Sequence, residues 1–552
     1  MGSGRINLLN QKWLFIGVAL AVFLLYLPCS RYSFVSYDDH AYAYRNEKVL
    51  GGLSLDNAIW AAKSCGYAHN WHPLTWWSLQ ADASVSRLIH GRVENSELSH
   101  VMHFHNVLLH TANALLLLLL MMAMCGTRAS LLPSLLALLW ALHPLRVEAV
   151  CWISERKELL CVFWMLLSMI FWVRRTQSPI SYLLSFAFFV LALLAKPLAV
   201  MLPATLFAWD WIVKERSFKA TLLRVSPYAV CTLLTCALTM AAQDHAIYVG
   251  GQFTLLRKIA LSLAAPVVYA RQTLWPSGLS TFYPTHATLP FIEAGLGLVL
   301  LLGMGGVAVW WLVRRDRWAA KATFAVVWVY LSLLPMLGIV KVGDQPHSDR
   351  YTYWIGCAAM ALLYAALRRM PREYESSLLK TLGVLTVCVS VATWAHMPIW
   401  ENSYALYSDA VPKSWAVQPV TAMSQLLRLQ GREGLSQAEW LLREATTHVP
   451  FSDIEAELAN VVAFRTEKSP LKMGDGPDPA FSEARFLANN ALAAIPDSGV
   501  ANEALGVVAM KEGNWKDAIS YLEKAQKDAE IADRVANELE ICRRHLTEKD
   551  GK

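Results

Sequence analysis

Charged residues are scarce in this sequence of 552 residues. Asp, Glu, Lys and Arg together make up 17% of the chain, whereas soluble domains carry about 25%. Hydrophobic residues make up 55%, and the mean hydropathy is +0.34. Several apolar stretches approach the length of about 20 residues that crosses a bilayer as a helix. The scarcity of charge therefore argues against a soluble protein and predicts a polytopic membrane protein.

Zinc-binding spacings and a cleavage site for a signal peptide are also missing. The ten cysteines include no CxxC pair. We interpret those inside apolar runs as small packing residues: Cys125, Cys161, Cys231, Cys236, Cys357 and Cys388. The first apolar run leads through Pro28-Cys29-Ser30 directly into Arg31, so we expect a retained span rather than a cleaved leader. The net charge of +6 is no sign of nucleic-acid binding, because many basic residues lie in short loops between apolar runs.

Eleven apolar runs organise the first 397 residues, which we predict to be the membrane domain. They fall near 13–30, 103–124, 129–142, 159–173, 180–195, 198–213, 222–241, 291–313, 322–340, 351–367 and 378–397. Basic clusters lie between alternate runs: Arg5/Lys12, Arg128, Arg174/Arg175, Lys214/Arg216/Lys219/Arg224, Arg314/Arg315/Arg317/Lys321 and Arg368/Arg369/Arg372. Placing these clusters in the cytoplasm satisfies the positive-inside rule. That topology puts the N-terminus inside and the C-terminus outside, with a long first outer loop at 31–102.

Residues 255–275 form one further segment that is long enough to span. A crossing here would move the basic cluster at 314–321 to the outer side, against the positive-inside rule. We therefore predict a juxtamembrane or re-entrant helix on the outer side, with an ordinary span as the alternative.

The composition changes after residue 397, and residues 398–552 are polar, Ala-rich and helical in pattern. Small residues and prolines recur at the spacings of tetratricopeptide repeats, whose period is 34 residues. The three copies are Ala438/Leu442/Ala445/Pro450, Ala484/Ala488/Ala491/Pro496 and Gly506/Ala518/Leu522/Ala525. The stretch "SPLKMGDGPDP" interrupts the middle copy. Such stacks bind peptides or proteins on a concave face, and a purely structural helical cap is the alternative.

The chemically unusual loops all fall on the predicted outer face. The first contains "YDDHAYAYRNEKV", in which Asp38 and Asp39 are adjacent carboxylates. A carboxylate can accept a proton from an attacking hydroxyl or hold a divalent cation. A solvated acidic turn is the alternative. The concentration of polar motifs on one face favours an enzyme over a scaffold.

Basic residues in these outer loops oppose the positive-inside rule, so they need a specific partner. The candidates are Arg146, Arg156, Lys157, Lys196 and Arg350. Phosphate is a natural partner, because Arg offers a bidentate fork and Lys a point charge. Pairing with Glu148, Glu155, Glu158 and Asp349 is the alternative for the loop residues, and snorkelling to the surface is the alternative for Lys196.

Histidines and aromatic residues give weaker signals. His100, His103 and His105 could ligate a metal, but the same stretch also fits an amphipathic entry into the second span. We favour Asp38 or Asp39 as the ligand of any divalent ion. Trp and Tyr of the outer loops fit either an interfacial belt or sugar stacking. The candidates for substrate binding are Trp71, His72, Glu155, Tyr283, Asp349, Tyr351 and Tyr353.

Several of these motifs together resemble the transmembrane and tetratricopeptide-repeat O-mannosyltransferases and their bacterial relatives, which are GT-C glycosyltransferases. The motifs are "YDD", "NWHPLTW", "ALHPLRVEAVCWISERKELL", "AKPLAVMLP", "FYP" and "SDRYTY", and the resemblance runs from about residue 30 to about residue 415. It implies an inverting enzyme that transfers a sugar from a polyprenyl-phosphate donor on the outer side of a membrane. It also implies that the first outer loop carries the catalytic Asp, at Asp38 or Asp39.

The sequence thus predicts an all-α membrane glycosyltransferase of about 11 transmembrane helices with a repeat domain that presents a protein acceptor. We expect it in a bacterial inner membrane with a periplasmic site, or in the endoplasmic reticulum membrane of a eukaryote. The same chemistry on a lipid or glycan acceptor is one alternative. A transporter of lipid-linked sugars is another, although the membrane part shows no internal duplication of the kind common in transporters. A non-catalytic scaffold is the third.

Overall fold

The computed structural model describes residues 8–127, 130–174, 178–242, 254–283, 289–314, 317–336, 347–448, 451–466, 479–528 and 531–550. Within these ranges all regular structure is helical, which confirms the predicted all-α class. The chain divides into two compact units, Met1–Leu406 and Tyr407–Lys552. Arg5, Arg128, Arg175, Arg315, Pro450 and most of "SPLKMGDGPDP" lie outside the described residues.

The first unit contains a helix at each predicted apolar run and further helices between the runs. They are α1 (Leu8–Tyr26), α2 (Glu47–Leu50), α3 (Leu55–Lys63), α4 (Pro73–His90), α5 (Asn95–Cys125), α6 (Leu131–Ala141), α7 (Val147–Cys151), α8 (Arg156–Val173), α9 (Pro179–Ala195), α10 (Leu202–Ala208), α11 (Phe218–Ala242), α12 (Leu255–Leu274), α13 (Phe291–Arg314), α14 (Arg317–Leu333), α15 (Thr352–Leu367) and α16 (Glu375–His396). Helix α17 (Ser403–Ser414) contains the division between the units.

Five helical segments among the described residues are long and apolar enough to cross a membrane by themselves. They are Gln11–Arg31, Asn95–Cys125, Phe218–Ala242, Phe291–Arg314 and Arg372–Trp400, and the bent pair Leu131–Ala141 and Pro144–Cys151 is a sixth candidate. The remaining helices at the predicted runs are shorter or begin with buried charged residues, so the count of eleven stays a prediction for them.

Large apolar side chains face outward on several of these helices. Val299 and Leu302 of α13 are 64% and 67% exposed, and Val387 and Val391 of α16 are 64% and 62% exposed. Water would penalise so much apolar surface on successive turns, whereas lipid chains solvate it. The outward pattern is therefore that of a membrane protein.

Proline breaks the helices next to the chemically unusual loops. A residue that precedes proline avoids the α conformation, and His143, before Pro144, is extended (φ −82°, ψ 139°). The helical segments on either side, Leu131–Ala141 and Pro144–Cys151, meet at 60°. Lys196, before Pro197, is also extended (φ −160°, ψ 140°) and ends α9. Both breaks redirect the chain where charged side chains gather.

The segment predicted to lie at the outer surface forms α12, a helix with Pro266 inside it. It is not among the helices that meet the length and hydropathy criteria for a span. Helix α12 packs closely against α13 at Gly297, where a β-carbon would lie 1.7 Å from the carbonyl oxygen of Leu263. The absence of a side chain at Gly297 permits this approach of the two helices.

The second unit is a succession of short helices: α18 (Val417–Arg428), α19 (Gly431–His448), α20 (Ser452–Arg465), α21 (Pro479–Ala494), α22 (Gly499–Lys511), α23 (Trp515–Ala525) and α24 (Ala532–Asp550). The small residues that the repeat pattern singled out are fully buried: Ala438, Leu442, Ala445, Ala484, Ala488, Ala491, Ala518, Leu522 and Ala525. A β-carbon at Gly506 would lie 2.7 Å from Leu522. The identity of the repeats as tetratricopeptide units stays a prediction.

Gly297→Ala should destabilise the first unit, because its methyl group would overlap the Leu263 carbonyl and force α12 and α13 apart. Gly303→Ala on the same helix is the matched control, since a β-carbon there meets nothing within 4 Å. Thermal unfolding of the detergent-solubilised protein measures both. We expect a lower melting temperature for Gly297→Ala and an unchanged or slightly higher one for Gly303→Ala, because Ala favours a helix over Gly by about 1 kcal/mol. Equal melting temperatures would refute the close packing.

Candidate active site

The two adjacent carboxylates of the first loop have different surroundings, and Asp39 has the structural role. Its side chain is fully buried. Oδ2 accepts the backbone N–H of Val35 at 3.1 Å, and Oδ1 accepts the backbone N–H and hydroxyl of Ser154 at 3.1 and 2.6 Å. Burial raises the pKa of Asp39 to about 7 against the lowering effect of these hydrogen bonds. Asp39 thus ties the first loop to the segment that precedes α8.

Asp38 is partly exposed, and none of the described residues forms a hydrogen bond or ion pair with its carboxylate. Burial raises the pKa of Asp38 above the ordinary carboxyl value, and the charges of Lys157 and Arg350 oppose that rise. A π-helical turn, His40–Tyr44, follows the pair directly. Such turns are often found at functional sites. The carboxylate of Asp38 is therefore open to a ligand.

Glu155 is the centre of a group of buried charges that we call the charge cluster: Glu148, Glu155, Lys157, Glu158, Lys196 and Arg350. The Glu155 carboxylate lies 3.2 Å from Nζ of Lys157, 3.0 Å from Nζ of Lys196 and 3.4 Å from Nε of Arg350. Burial alone would raise the pKa of Glu155, but the three cations lower it to about 2. Glu155 is consequently ionised at every physiological pH.

Arg350 and Lys196 connect the charge cluster to other segments. Nη1 of Arg350 donates to Oε1 of Glu148 at 2.5 Å, and its backbone N–H donates to Oε2 at 2.7 Å. Lys196 also donates to Glu158 at 2.8 Å. The extended backbone before Pro197 ends α9 at Lys196 and sends this side chain inward. The predicted alternative of pairing with neighbouring acids therefore applies to Lys157 and Arg350. Lys196, for which we predicted snorkelling as the alternative, instead pairs with Glu155 and Glu158.

Two cations of the charge cluster keep unused donors. Lys157 pairs with Glu155 and donates to Tyr42 at 3.4 Å, which leaves one of the three ammonium protons without a partner among the described residues. Nη2 of Arg350 likewise has no hydrogen-bond partner there. Both side chains are largely buried, at 10% and 12% exposure. These donors can bind an anion that reaches them.

Aromatic rings surround these donors. The ammonium of Lys157 lies 4.5 Å from the centre of the Tyr42 ring, and the guanidinium of Arg350 lies 5.3 Å from Trp152 and 5.0 Å from Tyr351. Tyr37 stacks on Trp152 at 4.5 Å. Rings in this arrangement stabilise the two cations and exclude water. An anion that binds these cations would therefore meet little competition from solvent.

Tyr283 and Asp349 form a pair at the edge of this region. The Tyr283 hydroxyl donates to Oδ1 of Asp349 at 2.5 Å, and its ring stacks on His347 at 4.1 Å. Burial and the nearby charge of Glu148 raise the pKa of Asp349 to about 8. Of the predicted outer loop that leads into this pair, residues 341–346 lie outside the described residues.

Arg156 and Arg146, which we predicted to bind the donor phosphate, are held inside the protein. The fully buried guanidinium of Arg156 pairs with Asp82 at 2.8 Å. It also bonds to the main-chain oxygen of Met102 and to the side chains of Ser78, His105 and Asn106. Arg146 donates twice to Thr352, at 2.7 and 2.6 Å. We assign both arginines to helix packing rather than to the site.

Three other predicted substrate contacts pack against or bond to other residues of the protein. His72 is fully buried between the rings of Tyr42 and Trp76, at 5.4 and 4.7 Å, and burial keeps its pKa well below the ordinary value. Tyr353 is buried in α15, where its hydroxyl contacts His110 and Asn113. The hydrogen bond of Trp71 goes to Ala62. Of the predicted aromatic residues, Tyr283 and Tyr351 lie next to Asp349 and Arg350.

The histidines of the second apolar run do not converge. His103 contacts the carbonyl of Ser33 and His105 contacts Asp82. Among the described residues no group of three His, Cys, Asp or Glu side chains has the arrangement of a metal site. Asp38 and Asp39 alone could contribute only part of a ligand set.

Sequence reasoning missed Ser154, Trp152 and Tyr42. Ser154 and Trp152 both stand within "HPLRVEAVCWISERKE", the most distinctive motif of the chain. Nothing in the sequence indicates that Ser154, an uncharged residue, will bond to the carboxylate of Asp39, which lies 115 positions away. Only the fold brings these residues to the acids and bases that the sequence singled out.

Comparison with family profiles and with curated protein sequences gives no match. Among solved structures, the chain is similar to the oligosaccharyltransferase of Archaeoglobus fulgidus in its apo form, with a TM-score of 0.42 and 11% identity over 80% of this chain. The same enzyme tethered to an acceptor peptide containing the NVT sequon gives a TM-score of 0.41 and 12% identity over 75% of this chain. The chain spans 60% and 57% of the length of those two chains. At these values the likeness assigns neither a family nor an activity to this protein.

Proposed function

We propose that this protein is an inverting membrane glycosyltransferase that moves a sugar from a polyprenyl-phosphate donor to a hydroxyl of a protein. One observation carries the proposal. Asp38, whose carboxylate has no hydrogen-bond or ion-pair partner in the described part of the chain, is influenced by the charges of two buried cations with spare donors, Lys157 and Arg350. A base next to an anion site is what displacement of a phosphate by a hydroxyl requires.

The reaction assigns a separate role to each group. Asp38 takes the proton from the acceptor hydroxyl, whose oxygen forms the new bond to the anomeric carbon of the sugar. The bond from that carbon to the phosphate oxygen breaks, and the electron pair leaves with the polyprenyl phosphate. Lys157 and Arg350 stabilise the charge that builds on this leaving group. A single displacement inverts the anomeric centre and needs no covalent enzyme intermediate.

The choice of a protein as acceptor rests on the resemblance of the sequence motifs and on the second unit. Stacks of helix pairs present extended surfaces that bind peptides and proteins. Transfer to a lipid or glycan remains the alternative acceptor chemistry. The extracytoplasmic orientation rests on the distribution of basic residues between the apolar runs.

Asp38→Asn should lower glycosyl transfer by about 10²–10⁴-fold, the usual contribution of a general base, and should leave the fold intact. Asp39→Asn should instead lower the melting temperature, because an amide cannot accept from both Val35 and Ser154 and a buried N–H without a partner costs about 1–3 kcal/mol. Mass spectrometry of glycosylated extracytoplasmic proteins from cells with each variant measures transfer. Ser154→Ala is the matched control, because it removes one bond to Asp39 and leaves Asp38 untouched.

A well-folded Asp38→Asn protein that transfers sugar at the wild-type rate would refute the enzymatic assignment and favour a scaffold. The same assay separates the base from a metal ligand. A chelator should leave the activity unchanged if Asp38 is a base, and should abolish it reversibly if Asp38 or Asp39 holds a required divalent ion.

Lys157→Met should weaken the binding of a polyprenyl phosphate to the purified protein by about 10- to 100-fold, as expected from the loss of a charge-assisted hydrogen bond. Arg156→Met should lower the melting temperature with little direct effect on binding, because that guanidinium bonds only to the protein interior. Arg92→Met is the surface control, since Arg92 is 71% exposed. If Lys157→Met binds the lipid as tightly as the wild type does, the anion site lies elsewhere.

The transfer rate should fall as the pH is lowered through the raised pKa of Asp38, because only the ionised carboxylate can accept a proton. An unperturbed Asp titrates near 3.9, so the acid limb of the kcat/KM profile should be centred above about 4. The profile, recorded on protein shown to remain folded across the range, tests this. An activity that is constant down to pH 4 would contradict the role of Asp38 as the base.

A further inference from the structure

Two cysteines that are distant in sequence lie in unusually close contact. Cys29 follows α1 and Cys151 ends α7, and both are buried. Their Sγ atoms are 2.6 Å apart. Two other sulfur pairs in the chain provide a reference, because Cys29–Met397 and Cys161–Met165 are each 3.6 Å apart. The Cys29–Cys151 pair is therefore well inside the distance of an ordinary non-bonded sulfur contact.

A shared metal ion does not explain this approach. Two thiolates on a tetrahedral zinc ion with bonds of about 2.3 Å lie about 3.8 Å from each other. The described residues also contain no third His, Cys, Asp or Glu that would complete a metal site around the pair. The two residues are free thiols in the structure, and a hydrogen bond between thiols would place the sulfurs near the 3.6 Å of the Cys29–Met397 and Cys161–Met165 contacts. A covalent link between the two sulfurs therefore remains as the explanation.

We propose that Cys29 and Cys151 form a structural disulfide. The two thiols lose two protons and two electrons as the S–S bond forms. The electrons pass by thiol–disulfide exchange to the disulfide of an oxidising thiol oxidoreductase, which becomes a dithiol. Cys29 lies at the predicted outer end of the first span and Cys151 in a predicted outer loop, next to the compartment where such oxidants act. The exchange takes place before folding buries the two sulfurs.

The disulfide joins the same two segments that Asp39 and Ser154 connect. Cys29 lies ten positions before Asp39, and Cys151 lies three positions before Ser154. The first of these segments is also joined to the chain after α16, since the backbone N–H of Ser33 donates to the carbonyl of Glu401 at 2.9 Å. The closed loop contains the first outer loop and α5, so the link limits the movement of Asp38 relative to the charge cluster. This inference does not depend on the reaction that the protein catalyses.

The experiment uses the full-length protein purified from membranes without reductant, from a host whose extracytoplasmic space is oxidising. Free thiols are blocked with N-ethylmaleimide in denaturant and counted by intact mass. The chain has ten cysteines, so a single disulfide predicts eight blocked thiols, and reduction before blocking should give ten. Digestion should yield one linked pair of peptides, containing Cys29 and Cys151. Ten blocked thiols without reduction, or a linked pair of other cysteines, would overturn the proposal.

Variants provide a second readout that does not use enzymatic activity. Cys29→Ser and Cys151→Ser should each lower the melting temperature by a similar amount, and the double variant should lower it no further, because one bond is lost in all three. Cys161→Ser is the matched control, as a buried cysteine whose sulfur contacts Met165; it should keep the disulfide and the mass difference on reduction. Additive losses in the double variant would refute the covalent link.

Discussion

The carboxylate of Glu155 is the interaction on which the arrangement of the site depends. It contacts cations from three segments: Lys157 at the start of α8, Lys196 after α9 and Arg350 before α15. Removal of one partner from a buried ion pair typically destabilises a protein by about 3–5 kcal/mol. Loss of Glu155 would leave three largely buried cations with fewer counter-charges. One side chain thus determines where the donors of Lys157 and Arg350 lie.

The breaks at His143 and Lys196 serve this arrangement. If the helices continued through His143 and Lys196, the charged residues that follow would lie further along each helix axis and away from one another. The extended residue that each proline imposes lets the chain turn within one or two residues, so that Arg146, Glu148 and Lys196 enter the protein from the ends of helices. The motifs "HPLR" and "AKP" therefore have a backbone role as well as a chemical one.

The sequence predicted the helices and the acids and bases of the site, but it did not predict which of them would be available to a ligand. The sequence does not distinguish Asp38 from Asp39, and only the fold gives Asp39 its hydrogen bonds from Val35 and the distant Ser154. Arg156 and Lys157 are neighbours, yet successive residues of a helix point about 100° apart, so one faces Asp82 and the other Glu155. Periodicity also predicted a single helix over 198–213, where the structure has a 3₁₀ turn, a short α-helix and a π-helical turn.

The charge cluster contains as many acids as bases. Glu148, Glu155 and Glu158 balance Lys157, Lys196 and Arg350, so the formal charge of this buried group is zero. A low-dielectric interior penalises any departure from electroneutrality. An anion that enters adds a negative charge that the resident groups do not offset, so its binding is favoured when a proton enters with it. Entry of the anion and uptake of a proton are consequently linked equilibria, and each favours the other.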